Sequence, residues 1–430
     1  MVIQHSRPTG SRVVSTLRLC VWLGVFFTTS LRLLLLARAN DDASNQDFFQ
    51  QVHSATEQRG VIFAAEYTGE GFANHSGGIQ SGATYEGLMR LSLQLDLAEL
   101  VCWRGATVYG SMLYPAGEGL TGQYTGDFNR LSNIDAYDSV RLFELWLQQK
   151  FFEDLFSIRI GQMSADQEFY QSTTSNLFIN SCFGTFPTIS FNTNLPIYPV
   201  GGLGIRIDYR PSSSLNFRAA VFDSNPGVQD LNDKHGTLFH LSLPSGMIFI
   251  AESVYHVNPT KANRGMVGTY TIGGYYDSRQ YTGEFVHPVH AANGGLYAII
   301  DQIVYRARPY VDEKSSKQGL SIFTSCSAAP NDRNLVSLYV DAGCNYLGLL
   351  PGRENDIAGV AVSYTKLSDE VVQNGRTIHS GHETIIEASY KIRLNQHLYV
   401  QPDVQCIFYP GGFGAHPNAF VSGLRFDFTF

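Results

Sequence analysis

Phe420-Val-Ser-Gly-Leu-Arg-Phe-Asp-Phe-Thr-Phe430 is the stretch on which the fold turns. Phe420, Leu424, Phe426, Phe428 and Phe430 fall on one side of an extended chain, and Gly423, Arg425, Asp427 and Thr429 on the other. A period of two with one oily and one charged face is a β-strand between two unlike media. The same pattern recurs upstream. Ile386, Ala388, Tyr390 and Ile392 oppose Glu387, Ser389, Lys391 and Arg393, and Leu398, Val400, Val404 and Phe408 oppose Tyr399, Gln401, Asp403 and Gln405. Val336, Leu338, Val340, Ala342 and Tyr346 oppose Ser337, Tyr339, Asp341, Gly343 and Asn345. Near the start, Tyr85, Met89, Leu91, Leu93 and Leu95 oppose Glu86, Arg90, Ser92, Gln94 and Asp96.

Alternation alone fits a soluble sandwich as well as a membrane barrel, because either can bury one face of each strand. Three features favour the barrel. The sequence finishes on an amphipathic strand with an aromatic residue, Phe430, the kind of end that barrel-assembly machinery reads. Aromatic residues recur at strand ends (Tyr67, Tyr85, Tyr114, Tyr209, Tyr255, Tyr346, Tyr364), as girdles at the two membrane interfaces would require. Tight turns at Phe152-Glu153-Asp154, Pro211 to Ser214 and Asn395-Gln396 alternate with longer polar loops. About seventeen candidate strands lie between Gly60 and Phe430. Closure with both ends on one side needs an even number, so sixteen is the expectation, with the surplus segment placed within 236–278. The fold class is therefore all-β, a transmembrane antiparallel up-and-down barrel of sixteen strands spanning 60–430.

The N-terminus predicts export. Arg7, Arg12 and Arg18 precede an apolar run from Leu19 to Phe27, and Leu33 to Leu36 lead into Ala37-Arg38-Ala39, a small-x-small site for signal cleavage after residue 39. Removing 1–39 takes five arginines and no acids, leaving 25 basic against 38 acidic residues and a net charge of −13. That balance disfavours a nucleic-acid partner. Residues 40–59 read as an N-terminal periplasmic segment with a short helix from Phe48 to Glu57. No later stretch reaches the roughly 18 unbroken apolar residues of a spanning helix, so only a closed barrel would satisfy the backbone in lipid. Cys102, Cys182, Cys326, Cys344 and Cys406 remain after cleavage, with no metal-like spacing.

One segment breaks the strand pattern. Asp166 to Val200 carries Phe169-Tyr170, Asn180-Ser-Cys-Phe-Gly184 and prolines 187, 196 and 199. Long ordered loops are usually functional, and this one is too apolar for a solvated surface. It is expected to fold into the lumen as a constriction loop. The flanking strands supply inward side chains. With Phe143, Leu145 and Leu147 on the lipid side, Glu144, Trp146 and Gln148 face in, as do Arg159, Arg206, Asp208 and Arg218 on the next strands and Arg90, Arg393 and Arg425 from the far wall. Arg159, Arg206 and Glu144, with the loop residues Asp166 and Glu168, are the expected eyelet. Arginine suits a polar solute because its planar fork donates to two oxygens at once. Trp146 could stack on an apolar face of a solute. These charges could instead pair with one another and stiffen the wall.

Enzyme signatures are missing: the sequence has no Gly-x-Ser-x-Gly elbow, His-Glu-x-x-His helix or phosphate-cradling Gly-x-x-x-x-Gly-Lys loop. His379, His382 and Glu383 read as loop residues without a metal role, and no cofactor is expected.

Arg141-Leu-Phe-Glu-Leu-Trp-Leu-Gln-Gln-Lys150, Ile160-Gly-Gln-Met-Ser-Ala-Asp166, Asn180-Ser-Cys-Phe-Gly184, Pro330-Asn-Asp-Arg-Asn334, Gly348-Leu-Leu-Pro-Gly-Arg353 and Gln401-Pro-Asp-Val-Gln405, in that order and spacing, resemble the OprB-type carbohydrate-selective porins. The chain departs from that family at Phe48-Phe49-Gln50, where a Trp-Gly-Gly-like phrase is common. The resemblance implies a monomeric 16-stranded barrel in the outer membrane of a Gram-negative bacterium, surrounded by outer-membrane lipid and admitting monosaccharides such as glucose passively. A channel for organic anions or aromatics, or a surface polysaccharide-binding β-protein, are the competing readings.

Overall fold

The computed structural model describes residues 56–429, apart from 228–232, 240, 242–245, 260–264, 280, 283–288, 291, 308–317, 370, 374–375 and 379–380. The signal, residues 40–55 with all but the last two residues of the expected helix, His379 and Phe430 therefore lie outside the described residues.

Sixteen strands close into one antiparallel barrel, each pairing with its sequence neighbours. They are β1 (Val61–Ser76), β2 (Gly82–Asp96), β3 (Ala106–Gly117), β4 (Arg141–Phe151), β5 (Phe156–Met163), β6 (Gly202–Ser212), β7 (Leu215–Asp223) and β8 (Met247–Val257). They continue as β9 (Gly268–Asp277), β10 (Asn293–Arg306), β11 (Gly319–Ala328), β12 (Val336–Leu347), β13 (Ile357–Leu367), β14 (His382–Arg393), β15 (Leu398–Phe408) and β16 (Ala419–Thr429). The ring closes where β1 pairs with β16, from Glu66 opposite Thr429 to Ser76 opposite Phe420. Two short hairpins, Tyr281–Thr282 with Val289–His290 and Val371–Gln373 with Arg376–Ile378, stand apart from it. Only β8 and β9 fall within 236–278 among the described residues, which removes the surplus segment.

The oily faces point outward. Leu93, Leu145, Ile160, Ile205, Ile207, Phe249, Ile272, Leu296, Val360 and Leu424 are exposed, while alternate residues such as Glu144, Arg206, Asp208, Asp341, Glu387 and Arg425 are buried. Lipid is the medium that makes such an exterior stable. Ile207→Arg, at mid-strand on this face, is expected to cost about 2–4 kcal/mol, whereas Tyr255→Arg near a strand end costs about 0–1 kcal/mol. Urea titration of the folded protein in lipid vesicles measures both.

Connections differ at the two ends. The β4–β5 turn places Phe152, Glu153 and Asp154 at positive φ, and the β14–β15 turn is tied by the Asn395 side chain, which accepts from the His397 and Leu398 amides at 2.8 and 2.9 Å. At the opposite end two long segments, 118–140 and 164–201, run between β3 and β4 and between β5 and β6.

Two faces differ from the alternation reading. Phe143 is not lipid-facing: a bulge in β4, where Ser111 pairs with Glu144 but Met112 with Leu142, leaves Phe143 as the extra residue, fully buried. A bulge lets two successive residues share a face, and Phe143 packs with Leu88, Leu113 and Ile134. Val336 likewise turns away from the exterior, because the register slips between Val336 and Leu338 against β13. A third correction concerns His382 and Glu383, which begin β14 rather than sitting in a loop.

Candidate functional site

Register on the β4–β8 wall brings the expected charges into two rows. Gln148 pairs with Arg159 and Arg159 with Arg206. One level along, Ser157 pairs with Asp208, Asp208 with Arg218 and Arg218 with Glu252. Strand spacing of about 5 Å makes each row a contact line.

Glu168, from the 164–201 segment, plugs into these rows. Its carboxylate accepts from Arg206 Nε at 2.5 Å and Nη2 at 2.9 Å, and it forms an ion pair with Arg159. Arg218 donates to the Glu168 carbonyl and to Glu252 Oε1, the latter at 3.1 Å, and its Nε reaches Asp208 at 3.0 Å. Gln148 accepts from Arg159 Nη2 at 3.0 Å and Arg206 Nη2 at 2.8 Å. Trp146 lies under the Arg159 guanidinium, 3.6 Å from its centroid, and stacks on Tyr109 at 4.9 Å. Among the described residues its indole nitrogen has no hydrogen-bond partner. Glu144 is buried and accepts from the Ser164 amide at 3.1 Å.

Asp166 and Arg90 stand apart from this knot. Both border a cavity of about 920 Å³ bounded by β1 and β2 (Glu66, Thr68, Leu88, Arg90), by the 118–140 segment (Arg130, Asn133, Asp135, Tyr137) and by the 164–201 segment (Gln167, Gln171, Asn176, Phe191, Asn194, Tyr198). Arg90 reaches Gln167 Oε1 at 3.5 Å. Asp166 accepts from the Tyr198 amide at 2.8 Å and from the Ser164 hydroxyl. Burial pushes its carboxyl up, and those hydrogen bonds oppose the rise. Burial also raises Asp135, with Arg130 working against it. The other eight expected residues, Arg159, Arg206, Glu144, Glu168, Trp146, Gln148, Asp208 and Arg218, do not border this cavity.

The 118–140 half of the lining was missed in the sequence. A signal was there: no two-residue period runs through 118–140, which carries Tyr124, Phe128 and Tyr137 among acids and asparagines. That is the same kind of signal that singled out 166–200.

Both segments are also sewn to strands other than the ones they connect. Glu387 accepts from the Ile179 and Asn180 amides at 2.5 and 3.0 Å, and Glu383 from the Phe128 and Asn129 amides at 2.5 and 2.8 Å. Asp301 takes the Ser172 hydroxyl and Thr174 amide, Tyr339 donates to the Cys182 carbonyl, and Gln401 donates to the Leu177 carbonyl. Arg425 pairs with Glu70 at 2.6 Å and donates to Asn133 Oδ1 at 2.8 Å. The two segments also bond each other, through Asn133 N–H to Ile179 O at 2.9 Å and Ser181 N–H to Arg130 O at 3.0 Å. Among the described residues no cluster of three or more His, Cys, Asp or Glu is arranged to hold a metal.

The comparisons agree with this architecture. Porin B of Pseudomonas aeruginosa is 22% identical over 87% of this chain and 88% of its own length. The putative porin QuiX of Acinetobacter baylyi is 21% identical over 87% and 90%. A structure of Pseudomonas putida OprB at high pH superposes with a TM-score of 0.79 at 20% identity, covering 89% of this chain and 97% of that one, which establishes a common fold. The description "carbohydrate-selective porin, OprB family" matches residues 80–430. A closed sixteen-strand barrel with an oily exterior, matched to that family over most of its length, leaves one conclusion: the chain belongs to the OprB family of carbohydrate-selective porins.

Proposed function

We propose that this outer-membrane porin admits small neutral sugars such as glucose by diffusion, and that the cavity between the β1–β2 wall and the two long segments is where a sugar is recognised. The supporting observation is the lining itself. Arg90 and Arg130 offer donors, Glu66, Asp135 and Asp166 offer acceptors, and Asn133, Gln167, Gln171, Asn176 and Asn194 offer both. Such a mixture can replace the hydration of a polyol at one narrow level without holding it too tightly to release.

In this reading the 164–201 segment folds into the barrel and narrows it, and the ten expected residues divide their work. Arg90 and Asp166 face the solute. Arg159, Arg206 and Arg218 hold Glu168, Gln148 and Asp208 position those arginines, Trp146 braces Arg159, and Glu144 holds the start of the segment at Ser164. Arg159, Arg206 and Arg218 are paired with acids, and Glu66, Asp135 and Asp166 outnumber Arg90 and Arg130 around the cavity, which weighs against an organic-anion channel that would need uncompensated positive charge.

Liposome swelling with glucose, other monosaccharides, amino acids and organic anions of similar size tests the proposal. Sugars are expected to enter several-fold faster than the anions. Equal rates for all solutes would leave only an unselective pore. An Arg90→Ala variant should lose much of the preference for sugars.

A further inference from the structure

Phe191 is an anomaly in a polar cavity. Its ring is 39% exposed, whereas Pro187, Thr188 and Ile189, just before it, are buried. An aromatic ring left partly exposed forfeits part of the stabilisation that full burial provides.

Its position is nonetheless fixed from three sides. Phe191 caps the short helix Pro187–Ser190, and its amide donates to the Pro187 carbonyl at 3.1 Å. The next residue, Asn192, clamps the chain to the wall: its side chain donates to Val336 O at 2.7 Å and accepts from Val336 N–H at 3.0 Å. Phe128 of the other long segment stacks on the ring at 4.0 Å between centroids, with 30° between planes. The ring is thus backed on one face and borders the cavity with what stays exposed.

Pyranoses have complementary surfaces. In an all-equatorial pyranose such as β-glucose the hydroxyls point outward around the rim, and the axial C–H bonds make both ring faces apolar. Those C–H bonds are slightly positive, and the face of an aromatic ring is negative. A rigid ring among hydroxyl-binding groups can therefore take a pyranose face while Arg90, Arg130, Asp135 and Asp166, on the same cavity walls, serve the rim.

We propose that Phe191, backed by Phe128, is a stacking platform for the apolar face of a pyranose ring, and that it favours closed-ring sugars with equatorial hydroxyls over open-chain polyols. The inference rests on the sugar reading of the cavity and adds the feature of the solute that is selected.

The test compares liposome swelling by glucose with swelling by sorbitol, the open-chain hexitol with similar hydroxyl chemistry and no ring face. Wild-type protein, Phe191→Ala, Phe191→Leu and Phe191→Trp are reconstituted after heat-modifiable gel migration has shown each to be folded. Glucose should outpace sorbitol in the wild type. The ratio should fall about threefold or more in Phe191→Ala and in Phe191→Leu, which keeps apolar bulk without a π face, and persist in Phe191→Trp. A wild-type preference left unchanged in both Phe191→Ala and Phe191→Leu would overturn the platform alone. Equal glucose and sorbitol rates in the wild type, with anions also entering freely, would overturn the sugar reading and the platform together.

Discussion

Glu168→Ala is expected to yield a protein that still forms the barrel but conducts ions markedly better, with sugar preference reduced in the same preparation. Among the described residues Glu168 is the acid that Arg159 and Arg206 share, and its backbone carbonyl takes Arg218. The side chains of Arg206, Arg159 and Glu168 are 6%, 14% and 18% exposed, so solvent screening offsets little of the loss. Removing one partner of such a buried pair leaves uncompensated charge at a cost of roughly 3–5 kcal/mol. The barrel, held by sixteen continuous pairings, does not depend on this contact. The cheapest relief is for the 164–201 segment to lift from the β4–β7 wall and let water reach the two guanidinium groups. Single-channel conductance in planar bilayers reads the effect directly, and a several-fold rise is expected. Glu168→Gln should fall between, since its single amide oxygen can still accept from the guanidinium groups at the Oε1 position while the charge and the second acceptor are lost. An unchanged conductance in Glu168→Ala would mean that the segment is held without this contact.

Glu387→Leu should act at the other anchor of the same segment, and on stability more than on flux. Glu387 is fully buried and accepts the Ile179 and Asn180 amides. Leucine cannot accept either, and each buried amide left without a partner costs about 1–3 kcal/mol. Asn180 keeps its bond to Gln405 at 3.0 Å and Gln401 still reaches Leu177, so detachment would be local. Limited proteolysis of the protein in detergent should therefore cut within 164–201 at protease concentrations that leave the wild type intact, with the barrel fragments still migrating as folded. A variant as resistant as the wild type would show that Glu387 is dispensable for holding the segment.

The barrel was legible because the membrane imposes one rule on every strand. Leu93, Ile205 and Leu424 lie far apart in the chain yet obey the same alternation, since each must meet hydrocarbon while its neighbours do not. Bulges escaped that reading. A single extra residue at Phe143 or Ser337 changes which face its neighbours use, and it leaves no mark on the local pattern. The destination of the polar faces escaped it too. Alternation assigned Glu387, Gln401, Gln405 and Arg425 to a wet lumen, but all four meet one or other long segment. Glu387 and Asn180 are 207 residues apart, and no local periodicity encodes a contact of that range. The expected site was half legible for the same reason. Inward orientation of Arg159, Arg206 and Arg218 followed from the strand period, but their shared partner depends on how a non-strand segment folds back.

The acids that staple both segments to the wall separate two jobs in the gene. In the proposed reading most of the strand code specifies the frame, and the filter is formed by two long segments, 118–140 and 164–201, together with Glu66 and Arg90 of the wall, the segments being docked onto it by a few carboxylates. Diet could therefore drift by rewriting some sixty codons, provided Glu168 and the amides offered to Glu383 and Glu387 stay in register, while the shell continues to be inserted and sealed as before.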